Sequence, residues 1–180
     1  MTLPEFRYHP DPIASGSIQE SGNTCVCCKQ ARGYIYVVSA YCEGDYDEVI
    51  CPWCIADGSA YRELDATFVD SEALRGEVPD AVMEELTERT PGFASWQTEE
   101  WPVCCGDATA FIAPVGITEL RSPATYEWEG PVMTYIVQEM KITGGGARRL
   151  IESLDRENGP TAYVFRCLHC MKHHFHIDFP

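Results

Sequence analysis

The sequence predicts an α+β fold held together by zinc, with treble-clef or zinc-ribbon-like knuckles and short antiparallel sheets. Three observations lead there. Ten cysteines stand in 180 residues, and six of them form Cys-x-x-Cys pairs at 25/28, 51/54 and 167/170. Short β-branched and aromatic runs flank those pairs, as strands joined by knuckles would. The helix-compatible segments are brief, so the chain is one compact unit or two small ones stapled by metal.

A C-x-x-C turn points two thiolates at one place, which suits two corners of a zinc tetrahedron. The first two pairs are spaced C-x2-C-x22-C-x2-C, and the intervening residues hold the run Tyr34 to Val38 and a turn around Gly44 and Asp45. That spacing predicts a knuckle, a hairpin and a second knuckle, with Cys25, Cys28, Cys51 and Cys54 on one structural zinc. After Cys54 the residues Ile55 to Leu64 are helix-compatible, weakened at Gly58. Cys27 is expected to be a bystander, because C-x-C is a poorer bite. Cys42 is expected to be a small core residue.

The second half repeats the theme with Cys104, Cys105, Cys167 and Cys170 around a second zinc. The knuckle at 167/170 lies between Tyr163-Val164-Phe165 and Phe175-His176-Ile177, so it should join two strands. Cys104 and Cys105 are the difficulty, since adjacent side chains of an extended segment point to opposite faces and only one would reach the ion. His169, His173, His174 and His176 are the alternative donors for the vacant corner.

The remaining segments are expected as follows. Residues 1 to 24, rich in Pro, Ser and Gly, form an irregular arm pinned by Phe6 and Tyr8. Asp80 to Arg89 forms a short helix after Pro79 that ends at Thr90-Pro91-Gly92. That breaker divides an acidic half with the first zinc site, residues 1 to 90, from a half with the second knuckle site, residues 91 to 180. Val132 to Val137 reads as a strand and Gly146 to Glu157 as an amphipathic helix. The glycines at 144 to 146 lack the residues of a phosphate-binding loop and form a turn.

Composition restricts the partners. Thirteen Lys and Arg against 28 Asp and Glu give a net charge of −15. That field repels nucleic acid and anionic lipid, and favours a basic protein partner. The acidity lies in the first half, net −11 against −4, with clusters at Glu43, Asp45, Asp47, Glu48 and at Glu84, Glu85, Glu88. The longest apolar run, Tyr34 to Cys42 with Ser39 inside, is about half of what a membrane span needs, and no secretory pattern opens the chain. A cytoplasmic location is therefore expected, where cysteines ligate metal more often than they pair.

Catalytic patterns are missing: H-x-E before P-C-x-x-C, H-E-x-x-H and G-x-S-x-G are all absent. No catalytic residue is assigned. Two enzymatic alternatives stay open. One is a zinc enzyme with an open position near Cys105, Asp107, Cys167, Cys170 and His173, with Asp107 as general base. The other, a weaker alternative, is thiol redox chemistry at Cys51 and Cys54.

The segments Tyr8-His9-Pro10-Asp11-Pro12, Cys51 to Ala60, Arg89-Thr90-Pro91-Gly92-Phe93 with Trp96-Gln97 and Trp101, Cys105-Gly106-Asp107, and Phe165 to Cys170 together resemble the CbrC family of bacterial proteins, nearly end to end. The resemblance implies a role in tolerance of, or immunity to, a colicin-like toxin. Binding of a basic toxin domain by an acidic protein agrees with the charge. The family pattern carries a histidine just before C-G-D and a cysteine just after it. Here Cys104 and Thr109 stand in those places, which makes Cys104 the residue that would compensate.

Overall fold

The computed structural model describes residues 2–97 and 99–180, and they form a mixed α+β protein with three small sheets. β1 (Ile18–Glu20) pairs antiparallel with β2 (Tyr34–Tyr36), with Gln19 opposite Ile35. The expected hairpin between the first two cysteine pairs is reduced to one bridge, Tyr36 to Ile50. The arm supplies the missing strand instead. Ile18 is buried and the next two residues are exposed, a pattern too short to detect in a Pro- and Gly-rich context.

α1 (Pro52–Ala56) begins at Cys51 with Pro52 in its first turn, and α2 (Ser59–Leu64) follows. Gly58, at φ +73°, breaks the predicted single helix in two. α3 (Asp80–Arg89) occupies the predicted span and buries Leu86 and Thr87.

β3 (Leu74–Arg75) runs parallel to β4 (Trp101–Cys104), which turns back antiparallel into β5 (Asp107–Ala108). The third sheet has the order β6 (Ala110–Val115), β7 (Thr161–Arg166), β8 (His173–Asp178), all antiparallel. β7 is buried on both faces. Ala162 and Val164 meet the helices α4 (Ile117–Leu120), α5 (Glu129–Gln138) and α6 (Gly145–Ser153), whereas Tyr163 and Phe165 meet an aromatic cluster.

Val132 to Val137, expected as a strand, lies inside α5. Val132 and Ile136 are buried and Val137 is exposed, so the burial follows a period near four, not two. Pro131 in the first helical turn is the start signal that the β-branched composition masked. α6 ends at Ser153, short of the predicted Glu157, because Asp155 Oδ1 accepts from the amides of Glu157 and Asn158 and forms a turn.

The aromatic cluster binds the chain across the Thr90-Pro91-Gly92 breaker. Tyr8, Val69, Ala73 and Leu86 pack with Phe93, Trp101, Phe111, Tyr163 and Phe165. Phe93 stacks on Phe111 at 4.2 Å, and the His9 ring meets Phe111 edge-on at 5.0 Å. The arm is thus pinned as expected, with Phe6 and Tyr8 both buried. Among the described residues no helix is long and apolar enough to cross a membrane.

Candidate metal centres

The first group joins a knuckle to a helix start. Cys25 to Cys28 follows β1, and the chain reverses because Lys29 adopts φ +57°, its amide donating to the Cys25 carbonyl while the Cys25 amide donates to the Gln30 carbonyl. Cys51 and Cys54 come from the start of α1, where the Cys54 amide donates to the Cys51 carbonyl. The four sulfurs lie within 4.8 Å of one another. Cys25 to Cys54 measures 3.7 Å, Cys28 to Cys51 3.8 Å and Cys51 to Cys54 3.6 Å. A tetrahedron with Zn–S of about 2.3 Å has S–S edges of about 3.8 Å, so these residues fit the ion. The Cys51 amide also donates to Cys25 Sγ at 3.3 Å. The neighbouring Cys51 side chain, against the effect of burial, pulls the Cys25 thiol below its ordinary range.

The second group is built from two facing hairpin ends. Cys104 pairs with Asp107 across β4 and β5, leaving Cys105 and Gly106 as a two-residue turn. Both have positive φ, +56° and +74°, the signature of a type I′ turn. The left-handed backbone at Cys105 overturns the objection that adjacent cysteines must diverge, because it swings the second thiol back to the first. Cys104 Sγ lies 3.8 Å from Cys105 Sγ and 3.7 Å from Cys170 Sγ. Opposite, Cys167 to Cys170 joins β7 to β8 as predicted. Met171, at φ +63°, closes this knuckle as Lys29 closes the first, its amide donating to the Cys167 carbonyl and the Cys167 amide to the Lys172 carbonyl. All four sulfurs again lie within 4.8 Å. The Cys170 amide and then the His169 amide donate to Cys167 Sγ, each at 3.4 Å, and against the effect of burial they pull that thiol down to about 6.

The two groups differ in exposure. Cys25, Cys51 and Cys54 are buried, whereas Cys105 and Cys170 are exposed and Cys104 is half-buried. Cys27 packs in the core of the first half outside the cluster of four, and burial pushes its thiol up. Cys42 lies against that core with its thiol on the Gly44 carbonyl. Cys27 is a bystander, as expected from spacing, and Cys42, expected in the core, is half-buried at its edge.

Three of the alternative donors are engaged elsewhere. His169 Nε2 lies 2.8 Å from Asp107 Oδ2, His173 packs on Trp128, and His176 Nδ1 lies 3.2 Å from Glu100 Oε2. The fourth, His174, is outside the cluster of four thiols. Thr109 Oγ1 donates to the Pro102 carbonyl. Asp107 is buried and is reached by Tyr8 Oη at 2.8 Å and by the Arg7 guanidinium as well as by His169. Burial pushes its carboxyl up, but the Tyr8 and His169 hydrogen bonds and the Arg7 charge outweigh that and hold it below the usual range. This carboxylate ties the arm to both hairpin ends of the second group. Sequence reasoning missed that role; the signal was an acid directly after Cys105-Gly106, facing a histidine inside the knuckle.

A family model described as "Uncharacterised protein family (UPF0167)" matches residues 3–179. UPF0167 proteins of Mycobacterium bovis and Mycobacterium tuberculosis are each 46% identical over 180 residues, covering 98% of this chain and 94% of the relative. A UPF0167 protein of Pseudomonas aeruginosa is 40% identical over 188 residues, covering 98% of this chain and 97% of the relative. No solved structure matches.

Proposed function

The chain belongs to the uncharacterised family UPF0167, and from that premise we propose that it is a cytoplasmic protein with two structural zinc ions, acting by binding a basic protein partner. The observation that carries this reading is that each centre already has four thiol donors. Four thiolates fill a tetrahedral ion and leave no position for a substrate or activated water, so the metals hold structure and the surface does the work. The first centre, a knuckle beside a short sheet and a second knuckle on a helix start, supports a treble-clef-like reading in which the hairpin is reduced to a single bridge. The second, two facing hairpin ends, has those of a zinc ribbon.

The partner reading rests on charge. The net −15 creates a field that steers basic proteins toward the chain, and Glu48 is among the exposed acids. The resemblance of the motifs to the CbrC family supports one class of partner, a basic toxin domain of the colicin kind, which this protein would neutralise. The test is association kinetics against purified basic nuclease domains of colicins at low and high salt. Binding should slow steeply with salt, and Glu48→Lys, Glu84→Lys and Glu85→Lys should each slow association several-fold. Absence of binding, or rates indifferent to salt and to all three reversals, would discard the capture model.

A further inference from the structure

A cleft of about 560 Å³ lies away from both metal centres, between the arm, the segment after β2 and the segment after Pro91. Glu99 stands in its lining with Tyr41, Phe93 and Ser95. Glu99 is only 5% exposed, yet among the described residues its Oε2 has no hydrogen-bond partner, and the buried Tyr36 hydroxyl beside it has none either. Gly92 separates the two groups. A Cβ at that position would fall 3.1 Å from Tyr36 Oη and 3.2 Å from Glu99 Oε1, and against the Phe68 carbonyl, so space rather than dihedral angle demands glycine there.

A buried carboxylate oxygen without a partner costs stability, and such an atom is retained where something else satisfies it. Among the described residues no Lys, Arg or His lines the cleft and no salt bridge reaches Glu99. Tyr41, 47% exposed, offers aromatic surface beside the acid, and the charge of −15 concentrates cations around the molecule. We propose that this cleft binds an organic cation, an alkylammonium or guanidinium head group, with Glu99 as counter-ion and Tyr41 as its aromatic wall. A free amine and the side chain of a basic protein both carry such a head group, and the chemistry of recognition is the same. The proposal does not depend on the metal centres or on the toxin reading.

Proton linkage follows from the same burial. Burial, with the Asp70 charge adding and the Asp70 amide opposing, pushes the Glu99 carboxyl up to about 8. Tyr36 and Tyr41 also face it, and burial raises both well beyond that range. A cation that binds only the carboxylate therefore binds tighter as pH rises, by roughly tenfold or more between pH 6 and 9.

The experiment is an NMR titration of the zinc-loaded protein with n-butylammonium, n-butylguanidinium and acetyl-Gly-Arg-Gly-amide, against matched NaCl. Saturable shifts at the Phe93, Ala94 and Ser95 amides, strengthening with pH and lost in Glu99→Gln, are the expected result. Preference for the peptide would assign the head group to a protein side chain, and preference for the alkyl cations to a free amine. Absence of saturation at pH 9, or equal affinity in Glu99→Gln, would overturn the proposal. The wild-type Glu99 carboxyl ¹³C signal gives a second readout that needs no variant: a saturating cation should lower its titration midpoint, and an unmoved midpoint overturns the proposal as well.

Discussion

His9 and Glu99 are buried ionisable groups whose effects on stability oppose each other. His9 Nδ1 donates to the Pro91 carbonyl and its Nε2 meets Ser15 Oγ, both at 2.7 Å, an arrangement that suits the neutral ring. Burial lowers it to about 4. The unfolded chain therefore binds the extra proton between pH 4 and 6.5, and His9 costs stability as pH falls through that window. Glu99 is raised to about 8, so the folded chain binds the extra proton, and stability falls as pH rises from about 4.5 to 8. The two slopes offset one another up to about pH 6.5, and Glu99 acts alone above it. Urea unfolding of the zinc-loaded protein should show Glu99→Gln abolishing a loss of about 2 kcal/mol between about pH 6.5 and 8. His9→Gln should instead extend the alkaline loss down to about pH 4.5. Identical profiles for wild type and both variants would contradict the burial argument. Neither residue announced itself in the sequence, because burial of a lone His or Glu is a tertiary property.

At the scale of elements, chain reversals place the ligands. The C-x-x-C spacing made three of the four cysteine turns legible, since two thiols at that separation converge in any knuckle. The fourth, Cys104 with Cys105, was only half legible: the strict alternation of an extended chain argued against it, and the left-handed turn decided otherwise. Cys-Gly between two short strands was the available signal. Gly106 carries φ +74°, and a Cβ placed there would meet nothing within 4 Å, so Gly106→Ala is strained by dihedral alone and should cost about 1 kcal/mol. It should also speed zinc transfer from the second centre to a chromogenic chelator and leave the first centre unaffected. Gly92→Ala is the contrast, because its Cβ would collide with the Phe68 backbone, and it should destabilise far more than Gly106→Ala in the same denaturation assay. α5 shows the opposite failure of legibility, since six residues of strand-like composition fold as a helix because two of them, four apart, reach the same core.

For the whole molecule, the difference in exposure between the centres predicts an order of disassembly. Cys105 and Cys170 are open to solvent, whereas three of the four thiols in the first group are buried. A chelator should therefore remove metal in two phases, the second centre first, and native mass spectrometry along the course should pass through a one-zinc species. The two centres also serve different cores. The residues around the first group, including Ile18, Ile35, Ile50 and Phe68, share no member with the cluster of α4, α5, α6 and the β6–β8 sheet. The aromatic cluster draws on both sides of the Pro91 breaker. Cys51→Ser removes a donor from the buried centre and leaves the thiolates of Cys25, Cys28 and Cys54 uncompensated. Amide exchange in that variant should accelerate through β1, β2, α1 and α2 while β7 keeps its protection, because the helices that cover β7 need no metal. Cys167→Ser should instead expose the β4–β5 turn and release the arm at Asp107, with β1 and β2 unchanged. If both variants lost protection uniformly, the chain would be a single cooperative unit and the division near residue 90 would have no energetic meaning.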